Sequence, residues 1–332
     1  MPSVGQCRLW DVAGDLSRRL RRRRPAESRL CVDIGSRHIK LIEAECRGGD
    51  VCVAEALCFD TPAGAVTANQ VSDVAAVAGA IEQALAAAHV SATRVVTCIP
   101  GPSAMIKRFR LPIEDAQRLN AFVRSETENL TACAADTLRV DHQVSEIHLE
   151  EAIEVLVVAA RRETVDTYVA AIEGAGLRVE AVDVDYLALE NMFAANYGFE
   201  ASRTTALMHV GARFCTLSIQ SHGTWRFSGN VSAGVDSIAT VGDLVAEIDR
   251  ALRFYWPESA GDRIDEVFLS GGGAGLPAFH AQLAARIGCP VRSSEPFSRI
   301  KLGAAADHDA IRRAATTFAV AAGLAMSCGE EP

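Results

Sequence analysis

Four residues within eight positions, Asp33, Gly35, Ser36 and Lys40 in the stretch V-D-I-G-S-R-H-I-K, are of types that together handle phosphate. Backbone N–H groups of a tight glycine turn cradle an anion, a hydroxyl such as Ser36 adds a donor, and Lys40 supplies a counter-charge. Asp33 is the residue type that faces a hard cation or its water. The same pattern also describes an ordinary hairpin, so its chemistry depends on the rest of the chain. A second candidate lies at S-G-G-G-A-G-L, residues 270–276. Three successive glycines between a strand and a helix let backbone approach a ligand closely, or simply make a flexible turn. Neither G-x-G-x-x-G nor G-x-x-x-x-G-K-[ST] occurs, which leaves dinucleotide-binding and P-loop readings without support.

The elements that must position these residues follow from apolar periodicity. Leu30 to Ile34, His38 to Ala44 and Val51 to Phe59 read as an antiparallel meander broken by Gly35. A helix over 71–88 and a strand over 94–99 complete a mixed α/β unit. Residues 103–180 read as a smaller unit: a strand over 104–110, a helix from about 113 to 130, strands near 140–146 and 154–160, and a helix over 164–175. A strand over 177–184 and a helix over 186–196 follow. The opening pattern then recurs about 175 residues on, with strands over 205–210, 215–220 and 224–232 around Gly211, a helix over 242–255 and a strand over 266–270. Such a repeat implies two similar lobes facing one cleft.

Composition narrows the function. With 332 residues and 49% hydrophobic content the chain buries a substantial core and holds two domains or one large bilobed unit. The net charge of −9 argues against general nucleic-acid binding, but residues 1–30 carry eight Arg against three acids, a local +5 that leaves −14 elsewhere. Arg18, Arg19 and Arg21 to Arg24 sit next to Leu9, Trp10, Val12, Leu16 and Leu20, with most of the apolar residues first. That order fits either a short basic amphipathic helix on an anionic membrane face or a solvated tail, and it does not fit a secretory signal. The Ala-rich stretch 314–328 is too short to span a bilayer and reads as a buried helix. Ten cysteines without C-x-x-C or zinc spacing read as buried free thiols.

Several segments in order resemble one family: the opening hairpin through Glu43; T-C-I-P-G-P-S-A-M-I-K-R-F-R-L-P at 97–112; and V-V-A-A-R-R-E-T-V-D-T-Y-V-A-A-I-E-G-A-G-L-R-V-E-A-V-D-V-D at 157–185. G-A-R-F-C-T-L-S-I at 211–219, E-I-D-R-A-L-R-F-Y at 247–255 and S-G-G-G-A-G-L-P-A-F at 270–279 complete the set. From about 30 to 327 the chain is similar to the PilM family of type IV pilus assembly proteins, the relatives of FtsA within the actin, heat-shock-protein and sugar-kinase superfamily.

The resemblance implies an α/β, actin-like bilobed fold of duplicated ribonuclease-H-like units with an FtsA-type inserted 1C subdomain. Behind a basic tail (1–27), subdomain 1A would span 28–100, completed by 180–203 and 311–328. Subdomain 1C would span 101–179, and 2A with 2B would span 204–310. It further implies ATP with Mg2+ in the cleft and a cytoplasmic place against the inner membrane, with the basic tail offering contact to that surface. The partner it implies is the N-terminal peptide of a PilN-like membrane protein, gripped in a groove between 1A and 1C, beside other platform components; a dimer is admitted.

Residue by residue, the resemblance assigns Asp33, Gly35, Ser36 and Lys40 to the first phosphate motif, with Asp33 toward the metal. Gly211 and Ala212 fall in the second motif, Glu247 and Arg250 form a ribose-facing pair, and Gly271, Gly272 and Gly273 form the adenosine loop. The sequence departs from the pattern at His209, where an acid is usual, at Cys215, where Thr is usual, and at His38 and Val235. Imidazole suits Mg2+ poorly, so these departures imply a weakened metal site and little or no ATP hydrolysis. His209 either bonds a phosphate oxygen or merely ends a buried strand, and Asp185 either faces the cleft or caps the next helix. A sugar-kinase-like phosphotransferase, with Asp183 or Asp185 taking a substrate proton, and an FtsA-like cell-division protein are the alternatives; the short acidic stretch 327–332 does not look like a membrane-targeting helix.

Overall fold

At the centre of the largest sheet runs a strand that is apolar on both faces. Leu30, Cys31 and Val32 are wholly buried, which is what a central strand covered on two sides requires. The structure, a computed structural model, describes residues 10–11, 27–47, 50–112, 118–147, 152–200, 202–255, 263–304 and 306–327. Lobe one contains β1 (Trp10–Asp11), β2 (Glu27–Ile34), β3 (His38–Arg47), β4 (Asp50–Asp60), the small hairpin β5 (Val66–Thr67) and β6 (Gln70–Val71), α1 (Val74–Ala87) and β7 (Arg94–Ile99). An inserted layer follows with β8 (Ala104–Pro112), α2 (Leu119–Thr131), β9 (Leu138–Ile147), β10 (Ala152–Arg161) and α3 (Arg162–Glu173). The chain then returns through β11 (Arg178–Val184) and α4 (Asp185–Asn196).

Lobe two holds β12 (Thr204–Val210), β13 (Cys215–Ser221), β14 (Thr224–Val231), α5 (Val241–Tyr255), β15 (Glu266–Ser270), α6 (Pro277–Ile287) and β16 (Val291–Ser293). It is followed by β17 (Lys301–Leu302), α7 (His308–Arg313) and α8 (Ala319–Ser327). Three main sheets result, with strand orders β1-β11-β7-β2-β3-β4-β17, β8-β10-β9 and β14-β13-β12-β15-β16. The first and third repeat one motif, an antiparallel hairpin extended by parallel strands.

Local chemistry sets the helix ends. Asp73 caps α1 by accepting from the Ala76 amide at 2.9 Å. Pro277 opens α6, and Gly288, with φ +80°, closes it in the left-handed conformation that glycine tolerates. All nine residues of α8 are buried, and it packs on α4 at backbone distance. A Cβ on Gly323 would lie 1.8 Å from the Ala188 carbonyl oxygen, so only glycine permits the crossing.

Two sequence expectations need correction, and a third falls partly outside the described residues. Trp10–Asp11 form a strand antiparallel to β11, since edge pairing to Val182 and Ala181 satisfies their backbone; the arginine-rich residues 18–24 lie outside the described residues. The helix expected from about 113 to 130 is present as α2; its expected start, 113–117, lies outside the described residues. The single helix expected over 314–328 is a 3-10 turn, Ala315–Phe318, followed by α8. Tertiary pairing drives that break: the Thr316 carbonyl turns out to accept the Gly271 amide at 2.7 Å.

Candidate functional site

The first hairpin is closed by its glycine. The Gly35 amide donates to the His38 carbonyl at 3.1 Å, and Thr61 clamps the turn through its hydroxyl to the Gly35 carbonyl at 2.7 Å and its amide to the Arg37 carbonyl at 2.9 Å. A Cβ on Gly35 would meet the His38 carbonyl at 2.9 Å and Lys40 Nζ at 3.0 Å, so a side chain there would fill the cradle. Asp33 and Lys40 face each other across β2 and β3, and Lys40 Nζ sits 2.8 Å from Asp33 Oδ2 with both side chains nearly buried. Lys40 also donates to the His38 carbonyl at 3.2 Å.

The second hairpin repeats this closure in lobe two. Gly211 donates to the Phe214 carbonyl at 3.0 Å, and a Cβ there would lie 2.9 Å from that oxygen. The segment after β14 folds onto this turn through Val235 to the Gly211 carbonyl and Asp236 to the Ala212 carbonyl. Arg37 and Asp236, one from each lobe, pair at 3.1 Å. Between the hairpins lies a cavity of about 310 Å3.

The structure brings eight of the eleven expected ligand residues to that cavity: Asp33, Gly35, Ser36, Lys40, Gly211, Ala212, Gly271 and Gly272. Gly271 and Gly273 are glycines for an internal reason as well. Gly271 has φ +82° and its Cβ would meet the Val210 carbonyl at 2.5 Å, while a Cβ on Gly273 would strike the Val210 side chain. Gly272 has open space at that position. Glu247 and Arg250 pair with each other at 3.1 Å on α5; Arg250 lines a separate groove between α5 and α6, and neither lines the cavity.

Asp185 and His209, each with two readings from the sequence, both reach the cavity. Asp185 begins α4 and lines the cavity, with its Oδ1 accepting the Gly101 amide at 2.9 Å, while α4 has no side-chain cap. Burial, with Asp33 nearby, raises its pKa to about 7, so it takes up a proton far more readily than an ordinary carboxyl group. His209, at the end of β12, also lines the cavity, and its Nδ1 lies 3.0 Å from Ser270 Oγ. It keeps some contact with the cleft but is enclosed elsewhere, and this enclosure lowers its pKa to about 4 and leaves it neutral. Cys215 is a core thiol whose Sγ reaches the Ala233 carbonyl at 3.0 Å; burial pushes its pKa up to about 12. Asp183 is buried against the Val184 amide at 2.7 Å and does not line the cavity.

Sequence reasoning missed Asn69 and Tyr168, which also line the cavity. Both are brought there by tertiary packing of β5–β6 and α3, and no local motif marks them. Glycine-cornered turns and a buried lysine fit a phosphate-bearing ligand. The donor set does not fit a protein-ligated Mg2+: Asp33 is already paired with Lys40, His209 is an imidazole, and the described residues hold no group of three metal-ligating side chains.

Two lobes built on the same hairpin motif around one cleft, with a three-stranded sheet inserted into the first, define an actin-like bilobed α/β protein. The model of one family within this class, described as type IV pilus assembly protein PilM, matches residues 31–240 and 240–328. The chain belongs to the PilM family. Among solved structures it is similar to a PilM–PilN type IV pilus biogenesis complex, with TM-score 0.81 and 21% identity over 92% of this chain and 100% of that one. It is also similar to the ethanolamine utilization protein EutJ from Carboxydothermus hydrogenoformans, with TM-score 0.53 and 11% identity over 92% and 91% of the two chains.

Proposed function

We propose that this protein is a nucleotide-binding adaptor of the inner-membrane platform of a type IV pilus or related secretion system. It works at the cytoplasmic face and holds the N-terminal peptide of a PilN-like membrane protein. Membership of the PilM family supports the reading, as does the match to a PilM solved with PilN. The observation that carries the nucleotide half is the pair of glycine-closed hairpins facing one cavity with Lys40 and Ser36 in its wall. ATP is the nucleotide, with its phosphates between the Gly35 and Gly211 turns and its adenosine toward Gly271 and Gly272. Bound ATP supplies ligand oxygens for Mg2+; the protein's own part is to hold the phosphates and to keep Asp33 neutralised by Lys40.

The three sheets support a division into 1A, the inserted 1C at about 101–179, and lobe two at about 204–310. The peptide groove lies between 1A and 1C. Turnover of ATP is negligible, because the second hairpin presents neutral His209 where an acid would help hold the metal's water shell. The test is calorimetric titration with a synthetic peptide from the N-terminus of a PilN-like partner, beside a phosphate-release assay. Saturable peptide binding with at most a few turnovers per hour supports the adaptor; multiple turnovers per second on a sugar, without peptide binding, would replace it with a kinase.

A further inference from the structure

Two arginine or lysine side chains stand in the wall of the cavity, Arg37 and Lys40. Lys40 is already committed: its Nζ lies 2.8 Å from Asp33 Oδ2, and the two charges offset each other within the wall. Asp185 adds a further acid to the same wall. A chain of phosphates entering between the two turns therefore needs another cation, and Arg37 is the one that the wall offers.

Arg37 belongs to the first turn itself, between Ser36 and His38 and inside the bond from the Gly35 amide to the His38 carbonyl. Its guanidinium reaches across to lobe two, where Nη1 lies 3.1 Å from Asp236 Oδ1. Asp236 is fixed in turn to the second hairpin, because its amide donates to the Ala212 carbonyl at 2.8 Å. The ion pair thus runs from one glycine turn to the other, across the space that the nucleotide reading gives to the phosphates. The Arg37 side chain is 57% exposed and that of Asp236 35%, and so wet a pair adds little to stability; the fold does not depend on it. A guanidinium receives carboxylate and phosphate oxygens with the same planar donors, so one can replace the other.

We infer that Asp236 is an internal competitor for the phosphate-bearing ligand: it occupies Arg37 in the unliganded cleft, and an arriving phosphate displaces it and takes the guanidinium in its place. The inference rests on the nucleotide reading above. It gives Arg37 two successive partners, one that ties the lobes together across the empty cleft and one that replaces that tie when the cleft fills.

The experiment is calorimetric titration of ATP into wild type, Arg37→Gln, Asp236→Asn and the double variant. The two halves of one ion pair have opposite effects. Arg37→Gln lowers ATP affinity about tenfold or more, as loss of a hydrogen bond between charged groups does. Asp236→Asn raises it about threefold or more, because more of the protein then holds its arginine ready for ligand. The competitor acts only through Arg37, so adding Asp236→Asn to Arg37→Gln changes affinity less than about twofold. Weaker binding in both single variants would reveal a clamp that simply keeps the lobes closed. Effects that add in the double variant would reveal a general charge field. Either result, or no change in either single variant, overturns the inference and leaves nucleotide binding standing. If neither wild type nor Asp236→Asn binds ATP, the nucleotide reading falls together with this one.

Discussion

Asp185 Oδ1 accepts the Gly101 amide at 2.9 Å, and a Cβ on Gly101 would come within 2.9 Å of that same oxygen. The acid that opens α4 is thereby fixed to the loop that leaves β7, and both ends of lobe one's returning chain meet at the cleft. Its proton makes this contact sensitive to pH.

In the unfolded chain Asp185 has an ordinary value near 3.8, whereas the folded protein holds its proton to about 7. Between those values the native state binds a proton the unfolded chain has lost, so this group's contribution falls as pH rises and levels off above 7. His209 runs the other way. Its folded value of about 4 lies below the ordinary 6.5, so its contribution is complete above 6.5 and is lost as pH falls toward 4. The two slopes oppose each other from about pH 4 to 6.5. Melting temperatures of Asp185→Asn, which keeps an oxygen for Gly101, will rise more steeply with pH than wild type across that window and exceed it at pH 8. Parallel curves for the two proteins would show that Asp185 ionises normally.

Replacing His209 with Asp puts a third carboxylate into a cleft that already holds Asp33 and Asp185. Without a cation the like charges lower the melting temperature at pH 8. With ATP and Mg2+ the new oxygen ligand suits the hard cation, and magnesium-dependent ATP affinity rises several-fold over wild type. Titrations with and without Mg2+ that show no gain for His209→Asp would remove this substitution as the cause of a weak metal site.

The buried pair Asp33 and Lys40 can be weighed by a double-mutant cycle. Lys40→Met leaves an uncompensated carboxylate in the core and costs about 3 kcal/mol or more in urea unfolding. Asp33→Asn combined with Lys40→Met removes both charges and recovers much of that loss, giving a coupling above ~1 kcal/mol. Additive losses would mean that water reaches the pair and screens it.

Much of this architecture was legible because glycine punctuates it. Gly35 and Gly211 sit at turns where a Cβ has no room, so the repeated strand-turn-strand pattern marked both lobes before any contact was known. Site membership was less legible where it depends on which face of an element meets the cleft. Glu247 and Arg250 share a helix face by spacing, yet that face turns toward solvent and α6. Tyr168 looked like any core residue of an amphipathic helix, since its cleft-wall role exists only once α3 is packed. The 3-10 turn before α8 was hidden for the same reason: the carbonyl that breaks the helix answers an amide 45 residues away in sequence.

The strand Trp10–Asp11 has a consequence for the cleft. Trp10 and Asp11 are registered to Val182 and Ala181, and β7 pairs with the other side of β11, so the strand that runs into Asp185 is an interior strand of its sheet at those residues and not the margin. The backbone that delivers the cleft's most buried acid is thereby held from two sides, which fixes where its carboxyl group stands before any ligand arrives.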